Sequence, residues 1–91
     1  MSDQIDPRDL KPSTLRVVLL ASEGPIRRIR NGWVGWREGR LSLAAVADAR
    51  LRGLLRLFYR AGVECAELTG LGQNCAAVWR QRDARRKARA A

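Results

Sequence analysis

Histidine is absent from these 91 residues, and acid is scarce: nine aspartates and glutamates stand against eighteen lysines and arginines. Without histidine there is no Ser/His or Cys/His pair and no imidazole general base. Cys65 and Cys75 are the only thiols, and only carboxylates would remain to complete a zinc site, a poor ligand set for a structural one. Both are expected to be ordinary core or half-buried thiols. There is also no phosphate-cradling glycine loop at the right spacing, so an enzyme is not expected and no cofactor or metal is called for. No apolar run approaches the roughly 20 residues of a membrane span, and the opening "MSDQIDPRDL" is polar and acidic, unlike a secretory signal. A cytoplasmic protein without a membrane partner is expected.

What remains is a chain 46% hydrophobic, long enough for one small domain with a single core. Its formal charge of +9 and pI near 11.4 favour an anionic partner: DNA, RNA or an acidic protein surface. Aromatic residues are few, one tyrosine, one phenylalanine and three tryptophans. Two of those tryptophans fall in "RNGWVGWREGR", residues 30–40, among three glycines and Arg30, Arg37 and Arg40.

Along the chain, residues 1–11 carry Asp3, Asp6 and Asp9 and read as a flexible acidic arm. "PSTLRVVLLASEG" reads as a helix, with Ser13 as its N-cap, Leu15, Val18 and Leu19 at helical spacing, and Gly24 and Pro25 as its stop. "PIRRIR" alternates loosely at Ile26 and Ile29, as a short strand would, and the glycine-rich segment after it is expected to break regular structure. Ser42 then caps an alanine-rich helix that ends at Gly53. "LLRLFYR" alternates as a half-buried strand, and "AGVE", with Gly62, is a compact turn. "CAELTG" returns as its partner strand with Ala66 and Leu68 inward and Cys65, Glu67 and Thr69 outward, which places Glu67 across from Arg56 or Arg60. The last block, with Leu71, Cys75, Val78 and Trp79 at spacings of three and four, is a basic helix whose end is too charged to be buried.

This order, together with Ser42, Val46, Ala49, Gly53, Leu54 and Leu55 at the helix exit and Leu68, Thr69, Gly70 and Gly72 at the later turn, resembles the winged helix-turn-helix domains of small bacterial transcription regulators. The likeness spans about residues 13–80. It implies an α+β fold, a small winged helix with a two- or three-stranded antiparallel sheet and a basic C-terminal helix, within boundaries of 1–11 for the arm, 12–80 for the domain and 81–91 for the basic helix end or tail. One departure is plain: the usual second helix is missing, and "PIRRIRNGWVGWREGR" holds its place. Trp33 is expected in the core, substituting indole area for the lost helix, and Trp36 at the surface. A simple helix-turn-helix over "ECAELTGLGQNCAAVWRQR" is the competing arrangement, with Ala66, Gly70, Leu71 and Trp79 in its key places; against it stand the small Ala76 and the strand-like alternation just upstream.

The winged resemblance implies double-stranded DNA as partner and a role in transcription regulation, on the nucleoid. Ser42, Leu43, Ala44 and Ala47 of the recognition helix would lie nearest the base edges, and Arg50 and Arg52 nearer phosphate. Asp48 would repel phosphate, which implies a cytosine contact or another role. Arg27, Arg28, Arg30, Arg37 and Arg40 would hold the DNA backbone from the loop, Arg60 from the wing, and Arg85 and Arg86 from the tail. Trp36 is the candidate ring for stacking on a base. Taken singly, each arginine reads equally well as a solvated surface charge. Two other functions stay open: a protein-binding module acting on RNA polymerase or another transcription factor, and RNA binding through Trp36 and the tail. The start of the last helix around Val78 and Trp79 is a candidate seam for a homodimer.

Overall fold

The computed structural model describes residues 4–37 and 39–90. It is an α+β arrangement of three helices, α1 (Pro12–Glu23), α2 (Leu43–Leu51) and α3 (Gly70–Ala90), and five strands: β1 (Ile26–Ile29), β2 (Gly32–Val34), β3 (Arg40–Leu41), β4 (Leu55–Arg60) and β5 (Val63–Leu68). A short 3₁₀ turn, Pro7–Asp9, precedes α1. The strands form one antiparallel sheet in the order β3-β2-β1-β5-β4. Five strands exceed the two or three expected, because the segment expected to be irregular contributes β2 and part of β3.

Local chemistry accounts for the elements. Pro12 starts α1 at a position where its missing N–H is harmless, so Lys11, not Ser13, precedes the helix, without a side-chain cap. Ser42 caps α2 as expected, its Oγ accepting from the Ala45 N–H at 3.1 Å. That helix closes with Gly53 at φ +77°, where the Leu54 N–H reaches back to the Ala49 carbonyl and the Gly53 N–H to Arg50, the double bond of a Schellman ending. Ala61 and Gly62 join β4 to β5, both at positive φ as a two-residue I′ turn requires. Thr69 then stitches the hairpin to α3. Its Oγ1 donates to the Gly53 carbonyl at 2.6 Å and accepts from the Gly72 N–H at 3.2 Å, while its own N–H donates to Leu54.

The three helices cover one face of the sheet. Val17, Val18 and Ala21 of α1, Val46 and Ala49 of α2, and Cys75 and Ala76 of α3 pack against Ile26, Trp33, Leu41, Leu55, Ala66 and Leu68 from the strands. Trp33 is 4% exposed and sits in this core, as expected. Arg28 lies over its ring, 5.9 Å from guanidinium to centroid. The hairpin register pairs Arg56 with Glu67, and the two make the expected ion pair at 2.7 Å.

Two further expectations are corrected. Asp6 to Leu10 is not a loose arm: Pro7 and Leu10 are buried, and Asp6 accepts from Arg82 of α3 at 2.6 and 3.2 Å. Arg82, aided by Arg8, holds the Asp6 carboxyl far below the usual carboxylate range. The stretch proposed as a simple helix-turn-helix is instead strand β5 followed by one unbroken helix. That helix runs on through residue 80 to Ala90 as its basic end.

Candidate nucleic-acid interface

The residues singled out in the sequence separate into three places. On α2, Ser42, Leu43, Ala44, Ala47 and Arg50 are all exposed on the side away from the core. Leu43, Ala47 and Leu51, spaced by four, make an apolar stripe there, with Leu51 88% exposed. Leu51 was not foreseen as a surface residue of interest, although its spacing from Leu43 and Ala47 was readable. Two other α2 side chains are engaged inside the protein. Asp48 accepts from the Thr14 hydroxyl of α1 at 2.7 Å and from Arg52 Nε at 3.0 Å. Asp48 thus tethers α1 to α2, Thr14 and then Arg52 holding its carboxyl below the ordinary range, and Arg52 is no free phosphate ligand.

The second place is the face of the sheet turned away from the helices. Register builds a row across all five strands: Arg40 beside Val34, Val34 beside Arg27, Arg27 beside Cys65 and Cys65 beside Phe58. Trp36 follows β2 by two residues and falls on this face too. Its ring is seated against Gly24, where an added Cβ would stand 2.8 Å from Trp36 Cγ, and it remains 61% exposed. Pro25, Arg27, Trp36, Phe58, Arg60, Val63 and Cys65 are among the residues lining one open groove of about 290 Å³. Cys65 points outward by strand parity, yet is only 8% exposed and lies outside the main core, in this groove. Phe58 is the member that sequence reasoning missed. Its signal was parity, since it alternates with the inward-facing Leu57.

The third place is the exposed end of α3, with Arg85 and Arg86. Arg86 is tied to Asp83 at 2.6 Å, and Lys87 reaches the same carboxylate at 3.2 Å. Lys87 first, then Arg86, lowers the Asp83 pKa. Val78 and Trp79, upstream on α3, are half-buried. Arg30 and Arg37 are exposed at the turns flanking β2. Among the described residues, Arg27, Arg28, Arg30, Arg37, Arg40, Arg50, Arg60 and Arg85 form no salt bridge with a carboxylate. Among the same residues, no helix is long and apolar enough to cross a membrane. No protein-family model, curated protein or solved structure matches the chain.

Proposed function

We propose that this is a cytoplasmic, nucleoid-associated DNA-binding protein that acts as a small transcription regulator on double-stranded DNA. The observation that carries the reading is the course of the chain from α2 into the β4–β5 hairpin: an exposed helix flank, a glycine exit at Gly53, and a tight turn with Arg60 beside it. The antiparallel pairing of β1 with β5 supports reading this order as a winged helix, with the hairpin β2–β3 standing where a second helix would be. Leu43, Ala44, Ala47 and Arg50 would then face the major groove, the apolar members suited to thymine methyls and Arg50 to phosphate or guanine. Arg60 would reach phosphate from the wing.

Selection from a random duplex pool, at about 50 and 200 mM salt, tests this. The expected result is enrichment of one sequence, affinity falling with salt, and a shallower salt slope in an Arg50→Ala/Arg60→Ala variant. No enrichment would refute sequence-specific regulation, and salt-independent binding would refute phosphate anchoring.

The stripe of Leu43, Ala47 and Leu51 favours a second reading, a protein-binding module acting on RNA polymerase or another regulator. An apolar side chain as exposed as Leu51 is more readily accounted for by a protein surface than by DNA. Leu51→Gln separates the two, because it would abolish capture of a protein partner and change duplex affinity little.

A further inference from the structure

We propose that the outer face of the sheet is a distinct binding site for an unpaired strand of DNA, with one base stacked on Trp36. The proposal shares the nucleic-acid reading above but not its duplex part.

Three observations converge on it. The groove is apolar at its floor, where Phe58 and Cys65 meet, and two arginines, Arg27 and Arg60, stand on its lining with no carboxylate among the described lining residues. A ligand that matches this must offer a flat apolar surface and negative charge within a few ångströms of one another, which is the chemistry of a nucleotide. Trp36 is also pre-placed. Backed by Gly24, its indole has one side against the backbone and most of its surface open to solvent, so little ordering remains to be done when a base arrives. The third observation is the cross-strand row, which puts Arg40 and Arg27 on the same face in line with Cys65 and Phe58. A backbone laid along this row would meet Arg40 and Arg27, and Arg60 lines the same groove as the ring. In duplex DNA the base faces are already stacked on each other, so only an unpaired strand can use the ring.

Among the described lining residues no side-chain carboxylate, amide or hydroxyl is placed to accept from a ribose 2′-OH, so the groove makes no demand for ribose and a deoxyribose strand satisfies it. A second copy of the chain is disfavoured by the like charge it would bring to the same face.

The experiment measures fluorescence anisotropy of a labelled oligothymidylate of about 12 nucleotides, within the span a single-strand site covers. A matched duplex and an oligouridylate of the same length run beside it. Trp36→Ala is expected to weaken oligothymidylate binding about 5- to 150-fold, the range for loss of one base–aromatic stack, and to leave duplex binding unchanged. Trp36→Phe should restore most of the loss, and Arg27→Gln/Arg60→Gln should flatten the salt dependence of single-strand binding. Equal oligothymidylate binding by Trp36→Ala and wild type would overturn the proposal, as would an equal loss toward duplex, a marked preference for oligouridylate, or a concentration-dependent dimer that Trp36→Ala abolishes. Failure of the duplex alone, with Trp36-dependent single-strand binding intact, would overturn the recognition-helix reading and leave this site standing.

Discussion

Replacing Trp33 by alanine is the most severe test of how the β2–β3 hairpin holds the domain together. Trp33 is 4% exposed, packs in the core with Leu41 and Val46, and lies beneath Arg28, whereas Trp36, three residues on, is 61% exposed. Full removal of a buried tryptophan leaves a cavity and costs about 3–5 kcal/mol. Trp36 buries roughly two fifths as much of its ring, so Trp36→Ala should cost about 1–2 kcal/mol by the same scaling. Small domains hold only about 5–15 kcal/mol in total, so Trp33→Ala removes about a fifth or more of the stability. In thermal unfolding followed by far-ultraviolet circular dichroism, a domain of this size shifts about 4–8 °C per kcal/mol. Trp33→Ala should therefore lower Tm by about 12–40 °C and Trp36→Ala by about 5–15 °C. Equal shifts for the two variants would refute the claim that the hairpin divides its indoles between a core and an open face. A loss of under about 1 kcal/mol for Trp33→Ala would show that the indole does not carry the packing of the hairpin against the core.

Other substitutions test the joints. Gly72→Ala places a Cβ 2.3 Å from the Leu54 carbonyl oxygen and 2.8 Å from Leu68 Cδ2, so α3 must shift; about 1–3 kcal/mol should be lost in urea unfolding. Ala61→Asn should stabilise by about 0.5–1 kcal/mol, because Ala61 holds φ +52° beside Gly62 and an Asn-Gly pair prefers that I′ geometry; a lowered urea midpoint would contradict the turn assignment. Acid should destabilise through Asp6, Asp48 and Asp83, whose folded pKa values all lie below their unfolded ones. Their contribution is complete above the unfolded value near 3.9 and is lost as pH falls through the folded values, so the urea midpoint should hold steady down to about pH 5 and decline below about pH 4. Thr14→Val removes the leading cause of the Asp48 shift and should make that acid decline shallower; an unchanged pH profile would refute the Thr14–Asp48 tether.

The helices and the β4–β5 hairpin were readable because each is written in local chemistry. Ser42 and Gly53 bracket α2, and the Arg56–Glu67 pair follows from counting residues across a tight turn. The docking of Asp6 to Arg82 was not readable, since it joins residues at opposite ends of the chain and nothing local announces it. The pairing of β1 with β5 was hidden for the same reason: four residues of "IRRI" carry too weak an alternation to name their partner. Cys65 shows the limit of parity. Its outward direction was correct, but its burial, in a groove also lined by residues from β1, β4 and beyond β2, could not be read from one strand.

The same limit explains why residues 30–40 read as mere irregularity. Three glycines and an exposed turn argue against helix, yet Gly32 is there because an added Cβ would stand 2.6 Å from the Leu41 carbonyl oxygen, so the glycine permits close strand pairing. Trp33 points to the core from within β2, whereas Trp36, two residues past the strand's end, lies in the groove on the opposite face. In a helix the same spacing of three would have put both indoles on one side, and both would have gone into the core. The β2–β3 hairpin therefore does more than fill the space under α2. It widens the sheet to five strands, leaves the second face uncovered, and carries one tryptophan to that face, in the groove that Arg27 also lines. The hairpin and the open aromatic groove are thus one structural event. Any variant that puts a helix in place of this hairpin, between β1 and α2, should lose single-strand binding even if duplex binding survives.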